Sequence, residues 1–327
     1  MKKKTAFLFP GQGSQSIGML SGLAEQCPVV GETFRTASDV LGFNLWNVCQ
    51  DGPVERLNRT EVTQPAMLAA GIATWRAWKS LGGFNPDCFA GHSLGEYSAL
   101  VAAGSLEFAD ALALVAERGR LMQFATPEKT GAMAAVLGLE DDILADICAA
   151  AAQGQVVSCA NFNSPGQIVI AGDKAAVERA CQLATEAGAR RTIPLAVSVP
   201  SHCALMQSAA EKLFDVLAWL VVVPGKIPVI HNVDVKVHNI TAHDVEVSDN
   251  KVHNEADGIR DALVWQLSQP VRWAASSQTL IGDGITRFAE CGPGKVLTGL
   301  NRRISRDVSS VALITRENLA ETLANWS

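Results

Sequence analysis

The chain has 327 residues, 48% of them hydrophobic and 18% charged, with a net charge of -6. That size and balance suit one large α/β unit, or a large unit with a smaller companion, around a substantial core. An acidic surface offers no general attraction to nucleic acid or anionic membrane, so neither is an expected partner.

The chain opens with Lys2-Lys3-Lys4 and the apolar stretch from Thr5 to Phe9. This imitates a signal peptide, but the apolar run is short and ends at Pro10-Gly11-Gln12, so a buried strand is expected and export is not. Helical patterning dominates from Ile17 to Leu81. A second strand, Asp87 to Ala90, runs into Gly91-His92-Ser93-Leu94-Gly95, and helices follow over Leu94–Ala103 and Leu106–Phe124.

From Ala132 the pattern changes to strand, helix, two strands around Asn163-Ser164-Pro165-Gly166, helix and strand, ending at Leu195. That β-α-β-β-α-β order is the split βαβ arrangement of a ferredoxin-like unit. A small domain over residues 128–196, inserted into a large domain made of 1–127 and 197–327, is therefore expected. A helix is expected from Ser201 to Leu217, with Ser201 as its N-cap and His202 in its first turn. Strands at Pro228–Asn232 and Arg287–Glu290 alternate with helices, which argues for a mostly parallel sheet in the large domain. The apolar run Val216–Val223 is too short to span a bilayer.

Lys-Val-His-Asn occurs at 236–239 and again at 251–254. Residues 237–251 read as a short insertion forming a surface loop or hairpin. Its histidines, His238, His243 and His253, match no zinc spacing, and no metal site is expected. The eight cysteines contain no CxxC pair. They read as reduced, mostly buried thiols of a cytoplasmic protein.

Gly91 to Gly95 fits G-x-S-x-G in the strand-to-helix setting that gives the motif its meaning. A sharp turn there lifts the Ser93 hydroxyl from the sheet and aims the Leu94 amide, at a helix N-terminus, where an oxyanion would form. The base is drawn from six histidines. His92 adjoins the serine and reads as structural; His202 is the favoured base and His231 its rival. No Asp or Glu declares itself as a third member, so a carbonyl orienting the imidazole is the expectation.

On the Leu106–Phe124 helix, Phe108, Ala111, Leu112, Val115, Gly119 and Met122 share one stripe, and Arg118 falls inside it. A guanidinium in an apolar interior needs a partner. Either an internal Asp or Glu supplies it, or a substrate carboxylate does, gripped in a two-pronged geometry. The second reading predicts about 10²–10³-fold discrimination against an acyl group lacking the carboxylate. Gln12 on its glycine loop is either a turn residue or an oxyanion donor.

With these residues in place, the chain resembles the malonyl-CoA:acyl carrier protein transacylases of bacterial fatty-acid synthesis. The likeness is carried by Phe9-Pro10-Gly11-Gln12-Gly13-Ser14-Gln15, Gly91 to Gly95, Arg118-Gly119, Gly131-Ala132-Met133, Pro200-Ser201-His202, Gln266-Leu267 with Pro270-Val271, and Gly292-Pro293-Gly294-Lys295. The resemblance implies a hydrolase-like large domain with a ferredoxin-like insert and no cofactor. It implies Ser93 as nucleophile, His202 as base, Arg118 on the malonyl carboxylate, and Gln12 with the Leu94 amide as oxyanion hole. It further implies that the Gln266 main-chain carbonyl orients His202, and that Asn161 and Asn163 lie near the pocket. The expected partners are malonyl-CoA and acyl carrier protein, with the chain itself a monomer. A serine hydrolase or a non-catalytic acyl-carrier binding module are the competing readings.

Overall fold

The computed structural model describes residues 3–126, 130–196, 199–238 and 255–326. Most of the expected insertion, including His243 and His253, lies outside the described residues, as do the junctions at 127–129 and 197–198.

The chain begins with β1 (Lys4–Phe9), α1 (Ser21–Gln26), α2 (Pro28–Leu41), α3 (Leu45–Asp51), α4 (Val54–Leu57) and α5 (Thr60–Ser80). It continues with β2 (Cys88–Gly91), α6 (Gly95–Ala103) and α7 (Phe108–Ala125). Then come β3 (Gly131–Leu137), α8 (Asp141–Ala152), β4 (Val157–Ser164), β5 (Gln167–Asp173), α9 (Lys174–Glu186) and β6 (Arg191–Pro194). After them follow α10 (Gln207–Ala218), β7 (Val229–Ile230), β8 (Val237–His238), α11 (Glu255–Ser268) and α12 (Trp273–Gly282). The chain closes with β9 (Ile285–Cys291), α13 (Val296–Ile304), β10 (Ser309–Leu313) and α14 (Arg316–Trp326).

Among the described residues two sheets organise the fold, and the α/β class expected from the sequence holds. The larger has the order β10-β9-β1-β2-β7-β8. Its pairings are parallel except for the last, β7 with β8. β1 sits inside this sheet with Ala6 to Phe9 fully buried, which explains its unbroken apolar run. Its register sets Phe9 opposite Gly91, so Gln12 and Ser93 leave the carboxyl ends of neighbouring strands side by side. That crevice is where open α/β sheets place their ligands.

The smaller sheet is antiparallel with the order β4-β5-β3-β6, the ferredoxin-like order its element sequence predicts. Helices α8 and α9 bury Leu144, Cys148, Ala176, Val177 and Ala180 against Val136, Ile168 and Ile170, giving this layer its own core. It is stitched to the larger unit through Val271, whose N–H donates to Ala160 O and whose carbonyl accepts from Phe162 N–H, each at 2.9 Å.

Two sequence expectations need correction. β4 runs on through Ser164, with register shifts at Cys159/Asn161 and Phe162/Ser164, so Asn161 and Asn163 belong to an irregular strand and the turn is confined to Pro165-Gly166. His202 is not on a helix. A 3-10 turn at Ala204–Met206 precedes α10, whose N-cap is Met206, and Ser201 caps nothing. The reason is local: His202 has φ +63° and Cys203 is extended, while the His202 N–H donates to Leu267 O at 3.0 Å. The peptide is pinned to the chain after α11 before a helix can start.

Candidate active site

Ser93 stands between β2 and α6 with φ +51°, a backbone conformation side-chain-bearing residues rarely adopt. The flanking glycines make the turn sterically feasible. A Cβ on Gly91 would lie 1.9 Å from Gly95 C, and one on Gly95 would lie 1.9 Å from Phe9 O. The turn is then tied down by side chains from elsewhere. Ser93 N–H donates to Asn232 Oδ1 at 2.7 Å, and Asn232 Nδ2 donates to Gly91 O at 2.6 Å. Gln266 Nε2 donates to Ser93 O at 3.1 Å.

Ser93 Oγ lies 2.8 Å from His202 Nε2. On the other side of the ring, His202 Nδ1 lies 2.6 Å from the main-chain carbonyl of Gln266. A carbonyl only accepts, so Nδ1 carries the proton and Nε2 is left to accept from the serine. Burial pushes the His202 pKa down to about 3, with the Arg118 charge adding to the fall. The imidazole therefore rests neutral. Its neutrality comes from burial and a neighbouring cation.

His92 faces away from this pair: its Nε2 is 2.8 Å from Asn163 Oδ1, and its ring packs beside Trp273. His231, the rival base, is fully buried with Nδ1 2.6 Å from Glu96 Oε1. The other Glu96 oxygen accepts from Asn232 N–H at 3.1 Å and from Gln266 Nε2 at 2.7 Å. One buried carboxylate thus supports both Asn232 and Gln266, which in turn hold the nucleophile's peptide and the histidine.

Arg118 is 1% exposed, as the helix stripe predicts. Its Nη1 donates to Gln64 Oε1 at 2.8 Å and its Nη2 to Gln266 Oε1 at 2.9 Å. The Tyr97 ring lies beneath it, 5.3 Å from centroid to guanidinium. Nε has no partner, and among the described residues no carboxylate forms an ion pair with this group. Gly119 makes the placement workable: a Cβ there would come within 2.7 Å of Glu61 Cα and Thr60 O, so only glycine lets α7 approach the start of α5 and reach Gln64.

A cavity of about 270 Å³ joins these groups. Gln12, Ser93, Leu94, Arg118, Asn161, Asn163 and His202 all line it, with Met122, Met133, Val169, Leu195 and Leu297 among its apolar walls. Seven of the eight residues singled out from sequence therefore converge on one space, and Gln266, fully buried, sits directly behind it. Gln12 makes a long contact, 3.5 Å from Nε2 to Thr60 Oγ1. Leu94 is the N-cap of α6. Gln266 keeps its main-chain contact with His202.

Sequence reasoning missed Glu96, Asn232 and Gln64. Glu96 had a readable signal, since it is the one charge in the apolar helix Gly-Glu-Tyr-Ser-Ala-Leu-Val-Ala-Ala. Gln64 and Asn232 gave none, because uncharged amides are common at any depth. Chemically, the arrangement offers a hydroxyl paired with a neutral base, a helix N-terminus beside it, and a buried cation across the cavity.

Residues 6–316 match the acyl transferase domain family. The malonyl CoA-acyl carrier protein transacylase of Escherichia coli K12 is 52% identical over 318 residues, covering 97% of this chain and 98% of that protein. The solved malonyl CoA-acyl carrier protein transacylase of Coxiella burnetii superposes with a TM-score of 0.94 at 46% identity, covering 100% and 98% of the two chains. A malonyl-transacylase solved in complex with a type II polyketide acyl-carrier protein gives a TM-score of 0.93 at 50% identity, covering 98% and 99%.

Proposed function

The chain belongs to the acyl transferase domain family, and we propose that it moves a malonyl group from malonyl-CoA to the phosphopantetheine thiol of acyl carrier protein, supplying fatty-acid synthesis. The observation that carries this reading is Arg118: a buried guanidinium held by two neutral amides, facing the same cavity as the Ser93–His202 pair. A hydrolase of unselective acyl groups has no use for such a charge, and burying it unpaired is costly.

The cycle is a two-step exchange through an acyl-serine. His202 Nε2 takes the Ser93 proton as Oγ attacks the thioester carbonyl of malonyl-CoA. The Leu94 N–H and the Gln12 amide hold the oxyanion. The C–S bond breaks, and coenzyme A leaves as a thiol with the proton from His202. The carrier's thiol then gives its proton to His202 and attacks the malonyl-serine ester, and Ser93 Oγ leaves and recovers that proton. Arg118 grips the malonyl carboxylate throughout and fixes the acyl group. Asn161 and Asn163 line the pocket wall, with Asn163 also orienting His92. No metal or cofactor enters.

Residues 128–196 form a small domain inserted into the large one at 1–127 and 197–327; the separate core under the antiparallel sheet supports this. The eight free thiols, six of them buried, fit a reducing cytoplasm.

Incubation with malonyl-CoA should leave one malonyl unit on Ser93, read by mass spectrometry of the intact and digested protein, and acyl carrier protein should then discharge it. Absence of the adduct from Ser93 overturns the reading. Rapid discharge to water without a thiol acceptor favours a thioesterase.

A further inference from the structure

The partners of Arg118 carry a consequence for selectivity. A buried guanidinium is ordinarily matched by a carboxylate. Here its two hydrogen bonds go to side-chain amides from distant parts of the chain, Gln64 on α5 and Gln266 on α11, and its Nε–H is unpaired. An amide oxygen accepts a hydrogen bond from the guanidinium without cancelling its charge.

The Gln266 amide has a fixed direction. Its Nε2 donates to Ser93 O at 3.1 Å and to Glu96 Oε2 at 2.7 Å, both groups that only accept. Turning it over would set its oxygen against two acceptors and its NH₂ against Arg118. Glu96 therefore stands one residue away from the guanidinium, with the Gln266 amide interposed. Gln64 completes the grip: its Nε2 lies 3.2 Å from Met122 Sδ, a weak acceptor, so Arg118 is its strong partner.

We propose that Gln64 and Gln266 are specificity-determining residues, which hold Arg118 in place while leaving its positive charge for the carboxylate of the incoming acyl group. This rests on the malonyl-transfer reading above. A carboxylate at either position would form an internal ion pair, and the malonyl group would meet a cation already neutralised beside a like charge. The neutral pair trades stability for recognition, as sites built to bind a charge commonly do.

The test compares the rates at which malonyl-CoA and acetyl-CoA label Ser93, with the melting temperature measured alongside. Gln64→Glu preserves shape and the Arg118 contact but adds the charge. Its malonyl-to-acetyl ratio should fall by about tenfold or more, while its melting temperature holds or rises. Gln64→Met removes the contact without adding charge, and its ratio should fall by at least about threefold less than that of Gln64→Glu. An unchanged ratio in Gln64→Glu overturns the proposal, as does an equal fall in both variants. So does an unfolded Gln64→Glu protein, because a carboxylate that pairs with Arg118 should not weaken the site. The wild-type protein separates the two ideas. If it takes no malonyl group, the function is wrong; if it prefers malonyl and Gln64→Glu keeps that preference, only the role of the amides is.

Discussion

Ser93 and His202 share an uncommon property: both have positive φ, +51° and +63°, without being glycine. Such conformations cost about 1–3 kcal/mol each and persist where the surroundings over-determine them. Here Asn232 and Gln266 clamp the serine peptide, while Leu267 O and Gln266 O hold the histidine. The result is a hydroxyl and a base 2.8 Å apart. Two expectations belong at this scale. Arg118→Ala should lower the malonyl-to-acetyl labelling ratio of Ser93 by about 10²–10³-fold, because the buried ion pair with the substrate is lost; competition between the two thioesters measures it. The rate of Ser93 labelling should also lack the acid limb of an ordinary histidine near about pH 6.5. With the His202 pKa near 3, the base stays neutral as pH falls through that range. A single-turnover profile from about pH 5 to 8 checks this, and an inflection near 6.5 would refute it.

Helix α7 shows what one element contributes. Its apolar stripe was legible in the sequence, and so was the anomaly of Arg118 within it. The helix it meets was not legible, because contacts between α7 and α5 depend on folding. The contact is tight enough to demand Gly119, whose missing Cβ would press on the backbone of Thr60 and Glu61 at 2.7 Å. Gly119→Ala cannot be relieved by a side-chain rotation, so it should destabilise the protein by about 1–3 kcal/mol, read by chemical denaturation. It should also cost malonyl preference, since it pushes Arg118 away from Gln64. Gly91 and Gly95 follow the same logic at the nucleophile turn. There the two glycines let the strand and helix backbones approach closely.

At the scale of the molecule, the cavity lies where the carboxyl edge of the parallel sheet meets the antiparallel one. The first supplies Gln12 and Ser93, the second supplies Asn161 and Asn163 from β4, and helix α7 supplies Arg118. Enclosure there buries His202 and half-buries His92, and desolvation lowers both pKa values. In the unfolded chain each would titrate near about 6.5. Below that pH the unfolded state binds protons that the folded state refuses, so stability present above 6.5 is lost on acidification, by up to about 1.4 kcal/mol per pH unit for each histidine. Urea midpoints at about pH 7.5 and 5.5 should differ in that direction, and the difference should shrink in His92→Asn. Equal midpoints would contradict the burial argument.

Local rules were enough for a good part of this protein. Periodicity named α7 and its buried arginine, the two glycines of G-x-S-x-G placed the nucleophile turn, and the strand–helix order predicted both sheets. These depend on residues close together in the chain, where spacing and backbone sterics act directly. Only the tertiary structure decided the rest. It moved His202 off its expected helix and gave its neutrality to burial. It also assembled the ring of Glu96, Asn232, Gln266 and Gln64 around the reacting groups. Gln64 and Gln266 stand 202 positions apart, and nothing local marks an amide as the partner of a distant guanidinium. Hydrogen bonds of that range exist only once the core has closed, and they leave Arg118 held by two neutral amides instead of a carboxylate.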